Sequence, residues 1–123
     1  MVLSQTSIEA AIKQGRISIE PFTAANLKEA SYSFSLQDEL TLQPGEFVVV
    51  LTKEKISLAK DMCCFLSTRG SIAQQGIDAL QSSFFVEPLS ANQLKLEIKN
   101  NSSKSVTLEA GIPIVKGIFM KVD

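Results

Sequence analysis

Apolar residues recur with a helical period only near the start of the chain. Ile8, Ala11 and Ile12 share one face of a segment running from Ser4 to Gln14, Thr6 to Glu9 has capping-box spacing, and Gly15 can end the helix in a left-handed conformation. From Arg16 onward the period shortens. The chain breaks into short runs rich in Val, Ile, Leu and Phe: "RISI", "SYSFSL", "FVVVLT", "KISL", "MCCFLS", "SSFFV", "QLKLEIKN", "SVTL" and "IPIVKGIFMKV". Turn formers divide them at Gln43-Pro44-Gly45, Asn100-Asn101-Ser102 and Ala110-Gly111. The pattern predicts an all-β domain with one helix in front, built as a sandwich or small barrel.

Three runs are apolar on both faces: Phe47 to Leu51, Met62 to Leu66 and Ile112 to Met120. A solitary sandwich with wet outer faces alternates more cleanly, so some of these strands are expected to face another subunit as well as the core. An oligomer accounts for them.

Composition narrows the chemistry. A chain of 123 residues with 45% hydrophobic content fits one domain, residues 1–123, with a real core. The net charge is -1 and the lysines alternate with acids, so there is no basic stripe for a phosphate backbone and no nucleic acid is expected as a partner. The start, "MVLSQTSIEAAIKQG", lacks the cationic and apolar parts of a signal peptide, and no apolar run reaches membrane-spanning length. No membrane partner is expected, and the protein is expected to be cytoplasmic. Cys63 and Cys64 are neighbours that point to opposite faces of a strand, and they read as packing residues. There is no histidine. That removes Ser-His-Asp and Cys-His catalysis, histidine-ligated zinc and the signature of the zinc nucleobase deaminases. Acid-base work would fall to carboxylates, lysine, tyrosine or cysteine.

The order of pieces resembles the dCTP deaminase and dUTPase superfamily, closer to its trimeric deaminase branch. "MVLSQTSIEAAIKQGRISIEPF" is similar to that branch's opening helix and strand, and "LKEASYSFSL" to its A-S-Y-D-L-R-L segment. "LQPGEFVVVLTKEKISLAKDM" is similar to the L-x-P-G-E-F-V-L-x-x-T-x-E run, "STRGSIAQQGI" to G-R-S-S-L-A-R-x-G-L, and "FVEPLSANQLKLEIKN" to I-D-P-G-x-x-G-x-L-T-L-E-I-x-N. "VTLEAGIPIVKGIFMKV" resembles the closing strands. The resemblance implies a distorted β-barrel or jelly-roll-like, dUTPase-type fold with an N-terminal helix and a short helix after S-T-R-G-S. It also implies a homotrimer with sites for dCTP or dUTP between subunits.

Carried over residue by residue, the resemblance makes Glu97 the catalytic base, places Arg69, Gly70, Ser71 and Gln74 at the phosphates, and places Ser83, Phe85, Val86 and Glu87 at the base and sugar. No protein metal site and no tightly bound cofactor are implied, since magnesium (Mg2+) travels with the nucleotide's phosphates. Read from the residues alone, Glu97 alternates with Lys95 and Lys99 like an ordinary solvated strand face.

The chain also departs from the family pattern. Gly70 stands at the deaminase's first serine and Gln74 at its second arginine, while Leu89 and Asn92 replace glycines and Ser90 an aromatic. Ser33 replaces an aspartate, and Val115-Lys116 an A-Q pair. Phe84 and Phe85 stand where the family has smaller or more polar side chains, and the pair is expected to fill the pocket or the core. The sequence stops at Asp123, where family members usually continue into a tail over the nucleotide, so that lid is expected to be missing. Three readings stay open: a dCTP deaminase giving dUTP and ammonia, a non-catalytic trimeric paralogue with a structural or regulatory role, and a dUTP diphosphatase using Glu87. A working site requires Glu97 and Arg69 to converge near a cleft between subunits.

Overall fold

The computed structural model describes residues 1–123. Its first helix, α1 (Gln5–Lys13), begins two residues earlier than the capping-box spacing implies. Ser4 is the cap: its hydroxyl accepts the Ser7 N–H at 3.2 Å, and the Thr6–Glu9 pair is not used. The reason lies upstream. Leu3 N–H donates to the Phe119 carbonyl at 2.9 Å, which keeps the chain extended up to Ser4. At the other end Gly15 sits at φ 73°, with Gly15 N–H bonded to Ile12 and Arg16 N–H to Ala11, the double closure of a Schellman motif. Ile8 and Ala11 are buried and Ile12 packs beside them.

The strands follow as β1 (Ile17–Glu20), β2 (Tyr32–Ser35), β3 (Leu40–Leu42), β4 (Phe47–Leu58), β5 (Met62–Thr68), β6 (Ile77–Asp78), β7 (Phe85–Val86), β8 (Ala91–Asn100), β9 (Val106–Leu108) and β10 (Pro113–Lys121). A short helix, α2 (Gly70–Ala73), lies between β5 and β6. One antiparallel sheet has the order β1-β4-β8-β6, a second the order β2-β10-β5-β7, and β3 pairs with β9 as a separate ribbon. The all-β, jelly-roll-like expectation holds. The sheets do not close into a barrel.

Two runs differ from the sequence pattern. "FVVVLT" and "KISL" are one strand, β4, interrupted in its pairing to β8 between Leu51 and Lys55. "SSFFV" shrinks to the two residues of β7. Of the three runs apolar on both faces, β5 and β10 are largely covered by the chain itself: Met62, Cys63, Cys64, Leu66, Ile114, Val115 and Phe119 are all buried. Only β4 keeps large apolar side chains well exposed, with Phe47 at 49% and Val49 at 55%.

One core joins both sheets to α1 and includes Ile8, Ile17, Phe34, Leu96, Ile98 and Phe119. Gly117 marks its tightest point, because a Cβ there would lie 2.6 Å from the Phe34 ring and 2.8 Å from Cys64 Sγ. Both cysteines are free, and burial, with Cys63 alongside, pushes the Cys64 thiol far above its ordinary range. Asn100 is buried with its amide fully used: Nδ2 donates to the carbonyls of Leu42 and Lys104, and Oδ1 accepts from Ser102 N–H and Oγ. The Asn100-Asn101-Ser102 turn is thereby pinned to β3.

Tyr32 is buried between Phe22 and Phe34, and its phenol oxygen accepts the Thr23 N–H at 3.0 Å. Burial raises its pKa above the ordinary value near 10, the Thr23 bond opposes that, and the Glu54 carboxylate raises it further. A raised folded-state pKa means that this contribution to stability is complete below about pH 10 and fades as pH rises through the folded value. Tyr32 is the only tyrosine and there is no tryptophan, so an ultraviolet titration reads this group alone. The expected midpoint lies above that of free tyrosine, coupled to alkaline unfolding; a midpoint at or below the free value contradicts the burial.

Candidate functional site

Strand β5 hands directly to the motif that the sequence places at phosphate. Thr68 Oγ1 accepts the Ala79 N–H at 3.2 Å, which ties the strand end to the far side of the loop. Arg69 is extended, and its carbonyl accepts the N–H groups of Ile72 and Ala73, both at 2.9 Å. Buried Ile72 anchors this turn. Gly76 then returns the chain at φ 85°, where a Cβ would meet Ser102 Cβ at 2.8 Å, so glycine is required there. Arg69 is half-buried, yet its guanidinium has no hydrogen bond or ion pair in the chain, whose one salt bridge is Arg16–Asp61. Ser71 and Gln74 are exposed. A Cβ on Gly70 would find nothing within 4 Å, so the missing serine hydroxyl leaves open space.

The residues that the resemblance assigns to base and sugar gather at another turn. Between β7 and β8 the chain turns through Glu87–Ser90, closed by Ser90 Oγ donating to the Glu87 carbonyl at 2.7 Å. Leu89 N–H donates to the Leu58 carbonyl and Leu58 N–H to the Ser90 carbonyl, so the end of β4 holds the turn. A cleft of about 560 Å³ opens beside it. All four expected residues, Ser83, Phe85, Val86 and Glu87, line it. Leu66 and Leu94 give it apolar walls, and Asn92, Gln93 and Lys95 add polar edges. The sequence reading did not assign Gln93 or Lys95 to the site. Their only signal was the polar register of β8, which any solvated strand shares.

The residues that the resemblance assigns to phosphate and to general-base catalysis, Arg69, Gly70, Ser71, Gln74 and Glu97, are not among those lining this cleft. Glu97 is half-buried in mid-β8, opposite Val49, with the neighbouring register pairs Leu51–Lys95 and Phe47–Lys99 on either side. Its carboxylate has no hydrogen-bond partner within the chain, and Lys95, two residues before it on the same face of β8, does line the cleft.

The phenylalanine pair corrects the sequence reading. Phe84 is 52% and Phe85 41% exposed, and neither fills the core or closes the cleft. Alternation in β7 sends Val86 inward and Phe85 outward. Both rings pack on Phe65 instead. No group of three or more Cys, Asp or Glu side chains is placed to hold a metal ion, and no helix is long and apolar enough to cross a membrane.

Residues 33–122 match the family described as dCTP deaminase-like. The chain belongs to that family. It is 29% identical to the dUMP-forming dCTP deaminase of Mycobacterium avium, over 93% of this chain and 77% of that one. It is 24% identical to the enzyme of the same description from Methanoculleus marisnigri, over all of this chain and 82% of that one. That second alignment runs over 153 positions, more than the chain's own 123 residues, so the relative carries insertions that this chain lacks. Among solved structures, the 2'-deoxycytidine 5'-triphosphate deaminase from Agrobacterium tumefaciens superposes with a TM-score of 0.82 at 14% identity, over 99% of this chain. The chain spans about half of that protein, 48%. The EIAV dUTPase superposes with a TM-score of 0.71 at 11% identity, covering 86% of this chain and 88% of that one. Both likenesses bear on the fold.

The turn beside the cleft keeps a glycine-like backbone at a residue that is not glycine. Leu89 sits at φ 68° and is 71% exposed, so its side chain offers little packing to offset a strained backbone. Leu89→Gly is expected to stabilise the protein by about 1 kcal/mol in denaturant unfolding. Loss of stability instead would mean that the leucine side chain holds the turn.

Proposed function

We propose that the protein binds a pyrimidine deoxynucleotide, dCTP or dUTP, at sites completed between the copies of a homotrimer, and that its deaminase chemistry is weakened or lost. The observation that carries this reading is that Arg69, which has no partner in its own chain, is not among the residues lining the cleft. A nucleotide needs a cation for its phosphates and a pocket for its base, and a half-buried guanidinium without a partner in its own chain suits a neighbour's ligand. Exposed Phe47 and Val49, beside Glu97, supply the apolar surface that association would cover. Magnesium would arrive with the phosphates and keep most of its water, which asks little of the protein. A cytoplasmic setting goes with that substrate pool.

If the reaction runs, Glu97 takes a proton from the water that attacks the amino-bearing carbon of cytosine, and dCTP gives dUTP and ammonia. The "dUMP-forming" description of the relatives adds hydrolysis to dUMP and pyrophosphate as a second step to be sought here. Glu87, which lines the cleft, is the carboxylate that the diphosphatase reading would use. The non-catalytic reading draws on the open space beside Gly70 and on Gln74. One hydroxyl and one fixed charge are absent from the phosphate loop, and the space at Gly70 stays unfilled.

The test is incubation with magnesium and dCTP or dUTP, with products resolved by ion-exchange chromatography beside an active family member. Both nucleotides are expected to bind, with deamination far slower than in the control. Glu97→Gln is expected to abolish any deamination while nucleotide binding persists. Failure to bind either nucleotide would overturn the reading, and turnover unchanged in Glu97→Gln would remove Glu97 from its role.

A further inference from the structure

We propose that Phe85 is a stacking platform for the nucleotide's base, which rests on the reading above and names the residue that selects a planar ring. Phe85 is the one aromatic side chain lining the cleft. It is braced from behind: Phe65 is its cross-strand partner, with ring centroids 5.0 Å apart at 50°. Phe84 packs on the same ring at 6.3 Å and 18°, outside the cleft. A ring packed on Phe65 while the residue is 41% exposed has surface left to receive a ligand, and less freedom to lose when one stacks on it.

The rest of the cleft fits the same occupant. Its volume of about 560 Å³ lies within the range of small-ligand sites, about 300–1,000 Å³. Glu87 offers an acceptor, Lys95 a donor, and Asn92 and Gln93 offer both, so the edge of a ring lying on Phe85 meets hydrogen-bonding groups of either kind. A purely aliphatic ligand would leave these groups unpaired, and a phosphate alone would leave the apolar walls of Leu66, Val86 and Leu94 uncovered. A pyrimidine base satisfies both requirements. Stacking tolerates either cytosine or uracil, because each has a π face.

The experiment compares wild type with Phe85→Leu, which keeps the apolar bulk but loses the π face, and Phe85→Trp, which places the only tryptophan of the chain at the cleft. Binding of dCTP, dUTP and inorganic tripolyphosphate is measured by calorimetry, tryptophan emission is followed for Phe85→Trp, and the solution mass of each protein is checked. Phe85→Leu is expected to bind both nucleotides about 5- to 100-fold more weakly, with tripolyphosphate affinity unchanged. Phe85→Trp is expected to retain nucleotide affinity, with emission quenched by the nucleotides and not by tripolyphosphate. Nucleotide affinity unchanged in Phe85→Leu, or emission in Phe85→Trp blind to saturating nucleotide, overturns the platform while leaving the nucleotide site intact. A changed solution mass in Phe85→Leu, at unchanged affinity per site, assigns Phe85 to the contact between copies and also overturns it. If wild type binds neither nucleotide, the proposed function itself fails and the platform with it.

Discussion

The irregularity in β4 is the constraint on which the two sheets depend. From Leu51 to Lys55 the strand advances four residues while β8 advances two, from Lys95 to Gln93, so ladder groups of both strands lose their regular partners. Thr52 replaces them. Its hydroxyl accepts the Leu94 N–H and donates to the Glu54 carbonyl, both at 2.9 Å, and its own carbonyl accepts the Gln93 side-chain amide at 2.8 Å. Thr52 is fully buried, so a side chain without the hydroxyl would leave a buried donor and acceptor unpaired, at about 1–3 kcal/mol each. Glu54, also buried, completes the joint by accepting the Ser35 N–H of β2 at 2.8 Å. A carboxylate on the first sheet thus satisfies an amide on the second.

The same irregularity falls between two regions of the first sheet that meet at the cleft. Before it, Phe47, Val49 and Leu51 stand opposite Lys99, Glu97 and Lys95 in regular pairing, and the last of these pairs, Leu51–Lys95, lines the cleft. That face carries Glu97 among exposed apolar side chains. After it, Lys55 and Ile56 pair with Gln93 and Asn92, at the border of the cleft beside the Glu87–Ser90 turn. Gln93 links the two regions, since its amide bonds to Thr52 and to Gln37 and its side chain lines the cleft. The proposal of a site shared between copies draws on this arrangement, in which one strand pair carries exposed apolar side chains and borders a cleft.

Much of the architecture could be read from the chain because local chemistry and global fold agree there. Ile8 and Ala11 mark the buried face of α1, Gly15 ends it, and alternation from Leu94 to Asn100 places β8 correctly. The misreadings sit where tertiary context takes over. Lys53 and Glu54 look like a break between two strands, because nothing local announces that a buried glutamate will bond to another sheet. The Phe84-Phe85 pair looks like core, but a two-residue strand turns one ring outward and Phe65 gathers both. For the candidate site, the family motifs led to Ser83, Phe85, Val86 and Glu87, which do share a cleft. Motifs carry no distances, so they gave no warning that Arg69 and Glu97 would lie outside it.

The most direct test of a shared site is sedimentation velocity with dCTP, followed at the nucleotide's absorption band, where a chain with one tyrosine and no tryptophan contributes little. The expected result is a species of about three times the 13.4 kDa chain mass that carries dCTP, with bound nucleotide lost as dilution yields single chains. A single chain that retains dCTP as tightly as the assembly, or a stable assembly that carries none, would contradict the account.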